Sequence, residues 1–406
     1  MKIDQLVSEK CTGCSVCVAV CPKHCIAMVS DNEGFLYPKI DYSQCIDCGL
    51  CAKICPSLNI SKKDSKDSDY PKFYTSAIKD KYLIKKSSSG GLFIAFAKYF
   101  LQEGGYVCGC VFNEDMKAIH ICTNELNKVM LMCGSKYVQS ELGDTFYQIK
   151  KLLLEGKKVL FTGTACQVIA IKRFLKKPYN NLFTMDILCH GVPSPLYLKY
   201  YVDYLEKKHK GKLIHLEFRN KDVLGWGSEH RIYYKVRKNN KIIEARPKVP
   251  SYFCAFFWGI NLRPSCYKCD YTGINRISDI TIGDFWGYWP FFKKKFKDGI
   301  SIACVNTKKG NDVYLNLSKD FSFNIELEKN IAMGSNTNFY HPTRMPKTRE
   351  SFYNDIDKKD YRKLMYRIYF DSSSRRKLLV TLYGRFIPER FKNFRHEFIK
   401  TICKFQ

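Results

Sequence analysis

Eight cysteines near the start of the chain fall into two copies of one spacing. Cys11, Cys14, Cys17 and Cys21 read C-x2-C-x2-C-x3-C and are followed by Pro22; Cys45, Cys48, Cys51 and Cys55 repeat the run and are followed by Pro56. Three thiolates in a tight loop hold three irons of a [4Fe–4S] cube, and the fourth ligand comes from the other copy. The spacing therefore assigns Cys11, Cys14, Cys17 and Cys55 to one cluster, and Cys45, Cys48, Cys51 and Cys21 to a second. CxxC pairs also build structural zinc sites, but zinc rarely needs a third cysteine two residues on or the trailing Cys-Pro. A chain that opens this way moves single electrons.

Both runs resemble those of bacterial dicluster ferredoxins. The 20 cysteines among 406 residues do not suggest a disulfide scaffold. Their spacing asks for thiolate ligands, which need a reducing compartment. Met1 to Lys10 holds no apolar core of a secretory signal. No run reaches the roughly 18 apolar residues of a spanning helix, and Gly91 to Leu101 is short and contains Lys98. The cytoplasm is the expected location. A net charge of +28 suggests an acidic partner: a phosphorylated substrate, an anionic membrane surface or an acidic redox protein. Solvated surface lysines account for the excess equally well. No nucleic-acid recognition motif occurs, and nucleic acid is not an expected partner.

Past a polar stretch from Ser61 to Asp69, a mixed α/β pattern begins. Phe73 to Ile78 and Tyr106 to Phe112 suit strands, with a buried helix over Gly91 to Leu101 between them. Thr145 to Leu154 has helical periodicity. Lys158 to Phe161 and Leu182 to Leu188 are short apolar strands, each ending at a cysteine-bearing turn. Gln167 to Leu175 and Ser194 to Lys208 suit helices, and the alternation from Leu213 to Ala245 predicts antiparallel strands. In the basic stretch Arg375 to Gln406, Phe391, Phe394, Phe398, Ile402 and Phe405 recur at helical spacing. Such a helix packs its stripe on the domain or lies on an anionic membrane.

Four further cysteines sit in patterned surroundings: Cys166 at a strand-to-helix turn, Cys189 at a strand end, and Cys266 with Cys269 as a CxxC. Cysteines at adjacent strand ends of one sheet converge, and four is the number a cube needs. Spacing alone leaves a third cluster, a zinc site and unrelated buried thiols open. Cys25, Cys108, Cys110, Cys122, Cys133, Cys254, Cys304 and Cys403 read as small buried hydrophobes.

The phrases SSSGG (87–91), GSKYVQS (134–140), GTACQ (163–167), DILCHGVPSP (186–195), and RPSCYKCDY with SDITIGDFWG (263–271 and 278–287) resemble the beta subunit of coenzyme F420 hydrogenase/dehydrogenase. That family also includes 7-hydroxymethyl chlorophyll a reductase. The resemblance implies FAD and a third [4Fe–4S] cluster, held by the matching Cys166, Cys189, Cys266 and Cys269. It turns Ser88, Ser89, Gly90 and Gly91 from an ordinary turn into part of a flavin site. Free N–H groups at a helix start favour a phosphate there. Lys136 would pair with a flavin phosphate or the ring's N1 region, with Gly163 and Thr164 facing the cofactor. His190 is the candidate catalytic residue, a proton donor or a hydrogen-bond partner of a cluster sulfur. A structural role is its alternative. Asp279 and Asp284 bracket a short strand, and Asp284 either orients a backbone turn, the favoured role, or approaches the flavin.

The expected architecture is α/β with α+β elements. A dicluster domain over 1–60 and a linker over 61–72 precede a flavin- and iron–sulfur-binding domain. That domain has an FAD part at 73–150 and a third-cluster part at 151–310. Residues 311–406 form a basic region particular to this branch. The expected function is an FAD- and [4Fe–4S]-dependent oxidoreductase. Its donor would be of the reduced-ferredoxin type, and it would act on a deazaflavin coenzyme or an anionic organic substrate. A sugar or nucleotide sugar in polysaccharide biosynthesis is one such substrate. The alternative is a non-catalytic electron-transfer subunit. Peripheral contact with the inner face of the membrane is the further expectation for the basic C-terminus.

Overall fold

The structure, a computed structural model, describes residues 2–59, 69–227, 232–247, 251–286, 296–334, 336–356, 361, 363 and 364. Two compact units are present, Met1–Pro346 and Lys347–Gln406. In the second, the helix Arg349–Asn354 buries Phe352 and Tyr353, with the Arg349 guanidinium 4.7 Å from the Tyr353 ring centroid. The basic stretch 375–406 and its proposed helix lie outside the described residues.

The first unit opens with the twin cysteine runs. Each run turns through a left-handed residue, Ser15 at φ 61° or Gly49 at φ 67°, into a short helix, Val16–Val20 or Leu50–Ile54. A hairpin of β1 (Ile26–Ser30) and β2 (Leu36–Ile40) closes over them. Ile3, Val7, Ile26 and Ile40 pack around the thiols.

An α/β domain follows, as the periodicity predicts. Its strands are β3 (Lys72–Ile78), β4 (Tyr106–Phe112), β5 (Ala118–Thr123), β6 (Val159–Gly163), β7 (Leu182–Ile187), β8 (Lys212–Glu217), β9 (Tyr233–Lys238), β10 (Lys241–Ala245), β11 (Ile280–Asp284), β12 (Ser301–Val305) and β13 (Phe321–Leu327). Eight of them form one sheet in the order β13-β3-β12-β11-β7-β6-β4-β5, and β8 to β10 form a separate antiparallel sheet. The centre of the large sheet, β4-β6-β7-β11, is parallel. Its strands are apolar on both faces because both are covered. Val159 and Phe161 pack with the helices Thr145–Leu154 and Ala165–Leu175, while Leu160 and Phe183 face the helix Leu92–Gln102. β13 draws residues past 310 into the sheet by pairing antiparallel with β3.

Cys108 and Cys122, read from sequence as separate hydrophobes, are joined by a disulfide. Their register is the reason: β4 and β5 place them directly opposite, with Cα atoms 4.1 Å apart. Among the described residues no helix is long and apolar enough to cross a membrane.

The dicluster region is bolted to the sheet domain by Arg263, which is fully buried. Its Nε donates to the Cys11 carbonyl at 2.6 Å, one terminal nitrogen to Gln139 Oε1 at 2.9 Å and the other to the Leu36 carbonyl at 2.9 Å. The guanidinium lies 4.3 Å from the Tyr37 ring centroid. Arg263→Met keeps the bulk but strands three acceptors, so the unfolding free energy of the cluster-loaded chain should fall by about 2–4 kcal/mol. A fall below about 1 kcal/mol in chemical denaturation would show that the bolt contributes little.

Candidate functional site: a cavity at the strand ends

In a parallel sheet, ligands sit beyond the carboxyl ends of the strands. Here β6, β7 and β11 are neighbours, and their ends open onto a cavity of about 630 Å³. After β6, Thr164 starts the helix that carries Cys166; its N–H donates to Gln167 Oε1 at 2.9 Å, and its hydroxyl lies 3.0 Å from Cys166 Sγ. After β7 comes Cys189, whose sulfur accepts the Gly191 N–H at 3.3 Å. The Arg263 N–H donates to the Val192 carbonyl, which brings the helical turn Pro264–Lys268, with Cys266 and then Cys269, over the β7 loop.

The structure thus draws Cys166, Cys189, Cys266 and Cys269 together. Burial pushes all four thiols up, Cys189 and Cys266 to about 12, and each is raised further by the charge of others in the set or of nearby acids. The Arg263 guanidinium favours the Cys266 thiolate, and Arg276 favours those of Cys189 and Cys269. Four converging half-buried thiols that repel one another as anions suit a multiply charged metal centre, which deprotonates its sulfur ligands. Among the described residues no three His, Cys, Asp or Glu side chains close on a single ion.

The N-terminal cysteines form two cages. Cys11, Cys14, Cys17 and Cys55 are all buried, and Cys14 and Cys17 are raised, first by burial and then by charges that include Cys11 and Cys55. Cys21, Cys45, Cys48 and Cys51 line a second, smaller cavity, with Cys48 exposed to solvent. The first cage is the inner one. Cys14 is close enough for its charge to raise Cys166, and Thr12 and Gly13 of its loop line the large cavity. Arg173, on the helix that carries Cys166, donates to the Cys55 carbonyl at 2.9 Å.

Opposite the thiols, two loops form a cradle. Ser88 Oγ lies 2.8 Å from Ser135 Oγ and accepts the Ser135 N–H at 2.7 Å, joining the Ser87–Gly91 turn to the Gly134–Ser140 segment. Ser88, Ser89, Gly91 and Lys136 border the cavity, as do Gly163 and Thr164. Gly90 does not line it. A Cβ there would stand 2.4 Å from the Ser76 carbonyl, so this glycine lets the turn pack on the sheet. Gly91 holds φ at 91°, a conformation side chains rarely adopt. The Ser89 hydroxyl is spent on the Ile300 carbonyl at 2.6 Å. Lys136 donates to the Leu131 and Cys133 carbonyls at 2.7 and 3.0 Å, and burial pushes its ammonium down. His190 borders the cavity with Nδ1 3.2 Å from Thr343 Oγ1, and burial drives its ring toward the neutral form.

Two cations that no sequence pattern marks hold this cradle. Arg219 pairs with both oxygens of Asp284 at 2.9 and 3.1 Å, and donates to Tyr137 Oη at 2.9 Å and the Ser88 carbonyl at 3.2 Å. Burial opposes its charge, but the Asp284 carboxylate holds it ionised. Lys221 donates to the carbonyls of Ile84, Ser89 and Asp298 at 2.7, 2.6 and 2.5 Å. Burial and the Arg219 charge push it down to about 7. Asp284 therefore fixes the cradle while facing the cavity. Asp279 is structural, accepting from Thr184 N and Oγ1 at 2.8 Å.

Residues 10–59 match the model of a 4Fe-4S dicluster domain, and residues 156–329 match that of the C terminus of the coenzyme F420 hydrogenase/dehydrogenase beta subunit. No curated protein matches the chain. A chain of the xenon-derivatised F420-reducing [NiFe] hydrogenase complex from Methanosarcina barkeri is similar over 75% of this chain and 94% of its own, at 18% identity and a TM-score of 0.43. Residues 156–329 thus resemble the C-terminal region of the coenzyme F420 hydrogenase/dehydrogenase beta subunit, and a 4Fe-4S dicluster domain lies ahead of them.

Proposed function

We propose that the chain is an iron–sulfur flavoenzyme with three [4Fe–4S] clusters and one FAD. The observation that carries this reading is the order of its parts. A thiol cage open to solvent at Cys48 leads to a buried one. The buried cage abuts a third thiol set, and Cys166 and Cys189 of that set border a cavity large enough for a ring cofactor. Flavin supplies the exchange between one-electron carriers and two-electron chemistry. Ser88, Gly91, Ser135 and Lys136 would hold it, with Gly163 and Thr164 beneath. Arg219 and Lys221 keep the cradle rigid. His190, at the cavity wall, would relay a proton to a substrate, and since burial favours its neutral ring it must first take up the proton that it gives.

The cavity lining includes the exposed Phe257, which would offer a flat face to a ring substrate, and Trp286, whose ring stacks on Trp226 at 4.8 Å. With the basic surface this favours an anionic organic molecule. Nucleotide sugars and deazaflavin coenzymes both fit that description, and turnover assays with each separate them. A cavity mouth of this kind favours an enzyme over a relay subunit.

Purified without oxygen, the chain should contain about twelve irons and one FAD. About eight irons and no flavin would overturn the reading in favour of a relay protein. Cys189→Ser should lose about four irons and leave the dicluster intact, while unchanged iron would remove the third cluster. Gly91→Val forces a side chain into a left-handed turn at the cradle. Flavin affinity should fall roughly tenfold or more with iron content unchanged. Undiminished flavin would place the cofactor elsewhere.

A further inference from the structure

The outer cage contains a fifth cysteine. Cys25, buried, has its sulfur 3.5 Å from Cys21 Sγ and lines the same small cavity as Cys21, Cys45, Cys48 and Cys51. The turn explains the approach. The His24 N–H donates to the Cys21 carbonyl at 3.2 Å, and His24 takes a φ of 49°, which swings Cys25 back over Cys21. The next residue, Ile26, is locked into register with Ile40. The thiol is therefore held in place by a turn on one side and a ladder on the other.

The duplication supplies an internal comparison. Four residues after Cys21, the first run places Cys25; four residues after Cys55, the second run places Asn59. Asn59 turns its amide onto the carbonyls of Ala52, Lys53 and Cys55. The additional thiol thus stands at the outer cage, which is the one open to solvent at Cys48. A cube takes four cysteine ligands, one per iron, so a fifth thiol has no place in the resting set.

We propose that Cys25 is a reserve ligand of the outer cluster, able to take the iron held by Cys21. On exchange the Cys25 thiol gives up its proton as its sulfur binds, and the released Cys21 sulfur takes one. No electron is moved. The proposal rests on the dicluster domain alone and not on the third cluster or FAD.

The test is anaerobic iron and sulfide analysis, with EPR of the reduced protein, on Cys21→Ala, Cys25→Ala and the double variant. Cys21→Ala should keep the wild-type iron content, with an altered outer-cluster spectrum. Cys25→Ala should match wild type in both. The double variant should lose either the one iron that Cys21 held or the outer cluster's irons, about four. Iron loss in Cys21→Ala equal to that of the double variant would overturn the proposal. So would loss in Cys25→Ala alone, or full retention in the double variant. A second measurement does not depend on Cys21→Ala folding. Under an iron chelator, the outer cluster of Cys25→Ala should lose iron several-fold faster than wild type, and equal rates would overturn the proposal. Wild-type protein with a single cluster in residues 10–59 would remove the dicluster itself, and the proposal with it.

Discussion

The buried Arg263 guanidinium, with Arg173 beside it, ties the dicluster region to the sheet domain. Arg263 reaches the Cys11 carbonyl in the inner cage, the Leu36 carbonyl in the hairpin and Gln139 in the cavity wall. It does so three residues before Cys266, whose thiolate its charge favours. Burying such a charge is costly unless all its donors are used. Here each of the three nitrogens donates to an acceptor, the acceptors come from three separate segments, and this fixes those segments relative to one another. The inner cage can abut Cys166 because Arg263 and Arg173 hold it there.

Within the sheet domain, the geometry of parallel strands does the rest. β6 and β7 lie side by side and point the same way, so the turns that follow them bring Cys166 and Cys189 to the same edge. Opposite, the cradle is shaped by side chains that satisfy backbone carbonyls. Lys221 gathers three of them and Arg219 a fourth. Lys221 ties the Ser87–Gly91 turn to the Asp298 loop ahead of β12, and Ser301 Oγ of β12 accepts the Gly90 N–H at 2.8 Å.

Much of this was legible in the sequence because the chemistry constrains spacing. A cube dictates the cysteine runs, and strands covered on both faces show as unbroken apolar runs such as Val159 to Phe161. Strand-end cysteines could be expected to converge, since the ends of neighbouring parallel strands share an edge. What escaped depends on distant contacts. Arg219 meets Asp284 across 65 residues, and Lys221 meets Ile84 across 137. Nothing local distinguishes them from surface cations. β13 has a mostly exposed pattern and is defined by its partner β3. The Cys108–Cys122 disulfide follows from hairpin register, which composition does not reveal. Gly90 sits in the expected turn but serves packing instead of the ligand.

The proposed electron path runs from the buried cage through the third thiol set to the cavity. Anaerobic rapid-mixing reduction of the wild-type and Cys189→Ser proteins, following cluster and flavin absorbance together, tests it most directly. In wild type, flavin reduction should keep pace with the clusters. In Cys189→Ser, the dicluster should reduce at its usual rate while the flavin stays oxidised. Flavin reduced equally fast in both proteins would contradict the account.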